Sequence, residues 1–130
     1  MRINKPAICS YLKQMFPGYE DLEDMPELTA EGYSREIENM KTHARGFGEL
    51  LELKVALHHV RRLPADDLNS FVYIYDFYDE DEVRAILQLA IDSDWSEVPR
   101  WVEYVDQEIE FTDVPAYEWF PARRRMMESD

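Results

Sequence analysis

The sequence predicts a mainly α-helical, compact single domain: a bundle of about five helices with an irregular aromatic C-terminal segment. Three observations carry this reading. The chain has 130 residues, the usual size of one domain. Apolar residues make up 45% of it and aromatics 13%, enough to build one core and to argue against wholesale disorder. Apolar side chains recur at spacings of three and four along much of the length, the repeat of a helix with one buried face. The alternative is an α+β fold, which follows if residues 71–78 form a strand. The globular unit is expected over residues 1–122, with a short basic and then polar tail over 123–130.

Each helix has its own signals. Asn4 and Pro6 mark the first start, Asn as a cap and Pro in the first turn. Ile8, Leu12 and Met15 share a face, and Pro17 and Gly18 close the helix. Thr29 or Ser34 can cap the second helix, whose stripe runs Tyr33, Ile37, Met40, Ala44, Phe47 and Leu51. Gly46 and Gly48 interrupt that stripe, and two glycines cost roughly 2 kcal/mol inside a continuous helix, so a break is expected there. A third helix places Leu50, Leu53, Leu57 and Val60 on one face. A strand is its rival, because Leu51, Leu53, Val55 and Leu57 also alternate. Arg61 and Arg62 suit its C-terminal end and Pro64 closes it.

The stretch FVYIYDFYDEDE, residues 71–82, reads two ways. Phe71, Tyr73, Tyr75 and Phe77 alternate as in a strand, while Leu68, Phe71, Val72, Tyr75 and Tyr78 keep helical spacing, with Asp66 or Asp67 as the cap. Helix is preferred, since local strand partners are hard to find. Asp79 to Glu82 suit the first turn of the next helix, where backbone dipoles favour negative charge. Val83, Ile86, Leu87, Ala90 and Ile91 form its buried face. Val98, Trp101, Val102 and Val105 give a last stripe, with Pro99 in its first turn. The remainder, interrupted by prolines, is expected to fold back over the core through Phe111, Tyr117, Trp119 and Phe120, with frayed final residues.

Charge is distributed unevenly. The net charge is −14. Residues 1–63 nearly balance, with nine basic and ten acidic side chains. Residues 64–122 hold sixteen acids against Arg84 and Arg100 only. Direct nucleic-acid binding is therefore not expected, because phosphates require clustered Lys and Arg. A basic protein partner is, because complementary fields speed encounter and fix orientation. Mere solubility explains strong acidity equally simply. No apolar run reaches the length of a membrane span, and no secretory core opens the sequence. With Cys9 alone, no internal disulfide can form, and a reducing, cytoplasmic setting is the expectation.

Catalytic signatures are sparse. The three histidines are His43, His58 and His59. Adjacent helical residues diverge by about 100°, so the last two cannot address one site. Neither Asp79-x-Asp81 nor Asp92-x-Asp94 carries the glycine and glutamate of a calcium loop. There is no P-loop, dinucleotide fingerprint or nucleophile elbow. No cofactor is expected. What stands out is the mixing of acids with aromatics. Aromatics filling the core and acids covering the surface account for at least half of it. The surplus suits an interface, where Tyr and Trp anchor and carboxylates engage Arg and Lys. One expected binding face is Tyr75, Asp76, Tyr78, Asp79, Glu80, Asp81 and Glu82; a second is Asp92, Asp94, Trp95 and Glu97.

In size, charge and aromatic content the chain is similar to bacterial immunity proteins as a class, without a shared motif. The expected function is a small acidic inhibitor that blocks a basic partner such as a nuclease toxin. A phage-type anti-defence protein or DNA mimic (anti-CRISPR or antirestriction), acting on a nucleic-acid-binding defence protein, shares that physics. A metal-dependent enzyme using clustered carboxylates is the alternative of another class.

Overall fold

A computed structural model of the chain describes residues 1–16, 22–72 and 78–128. Among them seven α-helices surround one core, with a two-stranded parallel sheet: β1 (Arg2–Asn4), α1 (Lys5–Lys13), α2 (Ser34–Gly46), α3 (Leu50–Arg61), α4 (Ala65–Phe71), α5 (Glu80–Ile91), α6 (Trp101–Tyr104), β2 (Glu110–Thr112) and α7 (Ala116–Glu128). A short 3-10 turn spans Leu22–Asp24. The mainly α expectation holds.

Helix α3 is the axis. It packs against α1, α2, α4, α5 and α6. Leu53, Lys54, Val55, Ala56, Leu57 and Val60 are consequently all buried. This explains the strand-like alternation in its sequence. A helix enclosed on several sides needs apolar residues on several faces, so a period of two appears by accident. The break before it also has a mechanism. Gly48 takes φ +68°. Its N–H bonds Arg45 O at 3.1 Å, and Glu49 N–H bonds Ala44 O at 2.9 Å, the paired closure that ends helices at a left-handed residue.

Helix α5 matches its expected face: Val83, Ile86, Leu87, Ala90 and Ile91 are buried. Helix α4 runs only to Phe71, after which Val72 is extended (φ −117°, ψ 114°). Residues 73–77, over which the helix and strand readings compete, lie outside the described residues, as do Pro17 and Gly18. The cap assignments need correction. No side-chain cap bond comes from Asn4, Tyr33 or Pro64 at the starts of α1, α2 and α4. Thr29 instead accepts Gly32 N–H at 3.0 Å in the preceding turn.

The last third departs most from expectation. The stripe over 98–105 yields only α6, four residues with none buried, and Val102 is 58% exposed. Pro99 supplies no N–H, and the bonds beside it, Val98 N–H to Trp95 O and Trp101 N–H to Val98 O, span three residues rather than four. The segment expected to be irregular forms β2 and then α7, a helix of 13 residues that contains Pro121 and takes in the expected tail to Glu128. Phe111, Trp119 and Phe120 do pack on the core, whereas Tyr117 is 78% exposed.

Two buried polar side chains tie this last third to the front of the chain. The register of the sheet pairs Arg2 with Glu110, Ile3 with Phe111 and Asn4 with Thr112. Asn4, fully buried, donates to Val114 O at 2.9 Å and accepts from Thr112 Oγ1 at 2.8 Å and Val114 N–H at 2.9 Å. The side chain read as a helix cap is therefore a strand clamp. Glu49, also buried, accepts at one oxygen from the Tyr11 hydroxyl at 2.6 Å and the Trp119 indole N–H at 2.9 Å. Phe120 packs on Phe47 with centroids 4.5 Å apart, and Arg123 donates to Phe47 O at 2.9 Å. Truncating Asn4 to Ala leaves a buried backbone N–H and C=O unpaired, so Asn4→Ala is expected to cost about 3 kcal/mol by urea unfolding.

Candidate acidic interaction surface

Two helix starts and one connector carry nine of the sixteen acids of residues 64–122. Arg84, in the second turn of α5, donates to Arg61 O and to Leu63 O at 2.7 Å, capping the end of α3. Pro64 opens α4 immediately afterwards. Asp66 and Asp67 in the first turn of α4 are thus brought to the end of the bundle that holds Glu80 and Asp81. Negative charge suits both helix starts. The connector from Asp92 to Arg100 returns the chain over α3.

Within this frame the expected site residues separate by task. Tyr75 and Asp76 lie outside the described residues. Asp79 is the N-cap of α5, its carboxylate accepting Glu82 N–H at 2.8 Å. Glu80 holds Arg84 at 2.6 Å and so braces the cap of α3. Asp81 is exposed and makes no ion pair, while Glu82 is half-buried. In the second group, Glu97 grips Arg45 through two bonds of 2.7 and 2.9 Å, which hold its carboxyl below the usual glutamate range. Asp94 accepts Ser96 N–H at 2.9 Å, a backbone bond that lowers its pKa. Asp92 accepts from the Gln88 amide at 2.9 Å.

The two aromatic anchors are corrections. Tyr78 is 4% exposed and packs edge-on against Phe16, with centroids 5.5 Å apart. Burial, then the neighbouring Tyr33, pushes its phenol well above the usual range. Trp95 is 5% exposed and donates its indole N–H to Ala90 O at 2.8 Å. The ammonium groups of Lys41 and Lys54 lie over its ring at 4.8 and 5.2 Å. Neither side chain is presented to a partner. Both aromatics belong to the core, as side chains at helical spacing commonly do.

Among the described residues an exposed aromatic lies elsewhere. Tyr117 stands on α7 beside Glu118 and shortly after Asp113, both exposed. Asp66, Asp67, Asp81, Asp106, Glu108, Asp113 and Glu118 are exposed and enter no ion pair among the described residues. The only two cations of residues 64–122 are already engaged, Arg84 by Glu80 and Arg100 by Glu103 at 2.9 Å. From the first half only Arg2 and Arg45 reach it in ion pairs, at Glu110 and Glu97, so among the described residues most of the negative field of this half is left unpaired. Its signal in the sequence was the charge count, not any motif.

Other reactive groups have structural neighbours. His58 stacks on Trp101 and His59 tilts against Phe111, so the two rings address α6 and β2 respectively, as their angular divergence requires. His43 is exposed on α2. Among the described residues no group of three or more His, Cys, Asp or Glu side chains is placed to hold a metal ion. Cys9 is half-buried, and burial raises its thiol pKa, which suppresses the reactive thiolate. Lys5 donates to Ser70 Oγ at 2.9 Å, but that hydroxyl already donates to Asp67 O at 2.6 Å, a bond along the helix that orients it away from nucleophilic use. Comparison with protein-family models, with curated proteins and with solved structures finds no match.

Two outcomes follow for the acids. Asp79→Ala removes a helix cap and should cost about 1 kcal/mol in urea unfolding, whereas Asp81→Ala should stay within about 0.5 kcal/mol of the parent. Glu52 has a buried carboxyl oxygen without a hydrogen-bond partner, and burial raises its pKa above the ordinary 4.5. The folded state then holds the Glu52 proton more tightly than the unfolded one, so its ionisation opposes folding above that range. Glu52→Gln should raise the urea midpoint at pH 7, and the gain should vanish as pH falls below about 4.5.

Proposed function

We propose that this chain is a stoichiometric binding protein that blocks a basic protein partner, with a nuclease toxin as the partner class its field fits best. One observation carries the reading: seven exposed carboxylates of the second half, Asp66, Asp67, Asp81, Asp106, Glu108, Asp113 and Glu118, enter no ion pair among the described residues. A nuclease presents Lys and Arg to phosphates, and a surface of unpaired carboxylates competes for those groups. Such a surface accelerates encounter at low salt, and specificity then comes from a few desolvated anchors. Tyr117, flanked by Asp113 and Glu118, supplies the aromatic–acid combination that Tyr78 and Trp95 do not. Among the described residues no helix is long and apolar enough to cross a membrane.

The test is capture on immobilised chain with a rising salt gradient, followed by association kinetics with the purified partner. A basic protein that elutes sharply and forms a one-to-one complex is the expected result. Replacing Asp81, Asp113 and Glu118 together by Lys should slow association roughly tenfold or more at low salt and flatten its salt dependence. A partner identified as a nucleic-acid-binding defence protein would convert the reading to anti-defence activity. No saturable complex at low salt, together with a melting temperature that rises with magnesium, manganese or zinc, would replace it by metal-dependent catalysis.

A further inference from the structure

We propose that α6 and the connector that carries it form a cover over α3 that acid opens, with protonation of His58 as the trigger. The inference stands independently of the binding function. Its geometry starts from α3. Lys54 and His58 are four residues apart and share one face of that helix. Trp101, from α6, lies on this face. Its ring is stacked on the His58 imidazole with centroids 5.0 Å apart and planes 14° apart, and the Lys54 ammonium sits 4.5 Å from its centroid.

The neutral imidazole fits this place and the cation does not. Nε2 of His58 is buried and has no hydrogen-bond partner. An imidazolium would carry an N–H there with no acceptor, in a site already close to positive charge. The charged groups that bear on it are Lys54, Arg62 and Arg61 from α3 itself, with Asp92 at the end of α5 as the one opposing charge. From α6 the neutral indole of Trp101 stacks on it. Burial, and then Lys54, hold its pKa down at about 4 from the ordinary 6.5. When the cover lifts, water reaches the ring and the largest cause, burial, disappears, while the charges of α3 stay beside it.

Helix α6 has four residues, none of them buried. Its backbone bonds are few, such as Val105 N–H to Trp101 O at 3.1 Å, and both residues are only half-buried. The sign follows from proton binding. The open form binds the His58 proton near its ordinary pKa and the closed form only near 4, so closure is fully favoured above about 6.5 and weakens as pH falls between those values. Between pH 7.5 and pH 5 the opening constant should rise roughly 30-fold. Asp92, Asp94 and Glu97 lie on the connector, so acid would rearrange one acidic segment and leave the starts of α4 and α5 in place.

Amide hydrogen exchange at pH 7.5 and pH 5, corrected for intrinsic rates, tests this. The Val105 and Trp101 amides should lose roughly 30-fold protection in acid, while the Leu53 amide, bonded to Glu49 O inside the core, should keep its own. His58→Phe keeps a stacking ring without a titrating nitrogen and should abolish the loss. Unchanged protection at Val105, an equal loss at Leu53, or the same loss in His58→Phe would overturn the proposal. Should that variant fail to fold, the imidazole carbon shift of His58 in the unaltered chain decides. A midpoint well below 6.5 supports the trigger, and one at or above it removes the trigger.

Discussion

A cation inside a packed helical array must be met by oxygen atoms or by aromatic faces, and Lys54 is met by both. It sits on α3, 3% exposed, and donates to Ile91 O at 2.6 Å, where α5 ends and its last carbonyls lack partners within the helix. The rings of Trp95 and Trp101 close over it. Lys41 repeats the arrangement from α2, reaching Asp94 O and the Trp95 ring. Burial holds the Lys54 pKa down at about 8, with Lys41 adding to the effect and Asp92 opposing it. Lys54 thus closes the end of α5, Lys41 fixes where the connector turns, and their ammonium groups meet the faces of Trp95 and Trp101. The position of α6, the stacking of His58 and the direction of the acidic connector all depend on that arrangement.

The same logic recurs at the chain's front. Asn4 and Glu49 are buried polar groups whose partners come from far along the chain, Val114 and Thr112 in one case and Tyr11 and Trp119 in the other. An unsatisfied buried amide or carboxylate is costly, so each partner set acts as a specification of geometry as much as a source of stability. The last third has few buried residues of its own, and α7 has none. It is placed by these polar ties, by Phe111 between His59 and Phe71, and by Phe120 between Tyr11 and Phe47.

Acidity divides between structure and surface. Asp79 caps a helix, Glu80 braces an arginine that closes another, and Glu97 fastens the connector to α2. Each of these carboxylates has a partner within the chain that gives it a structural role. The carboxylates left over are the ones without such duties, and they carry the field on which a binding role rests. Density of acids alone, as in residues 79–82, therefore overstates how many are available to a partner.

The sequence by itself determined the helical class, the third helix with its face Leu50, Leu53, Leu57 and Val60, the break at Gly46–Gly48 and the buried face of α5, because local periodicity and a left-handed glycine act over a few residues and leave direct marks. It also located the excess negative charge, since summing residues needs no coordinates. Only the tertiary structure decided the sheet between Arg2–Asn4 and Glu110–Thr112, the helix through Pro121, and the inward placement of Tyr78 and Trp95. Three-residue strands carry too little pattern to reveal a partner more than a hundred positions away, and α7 is held by long-range contacts that outweigh an unfavourable local proline. Which carboxylates remain free was likewise a tertiary matter, because a cap or an ion pair is set by which group lies within about 3 Å, and sequence spacing reports that only within one turn of a helix.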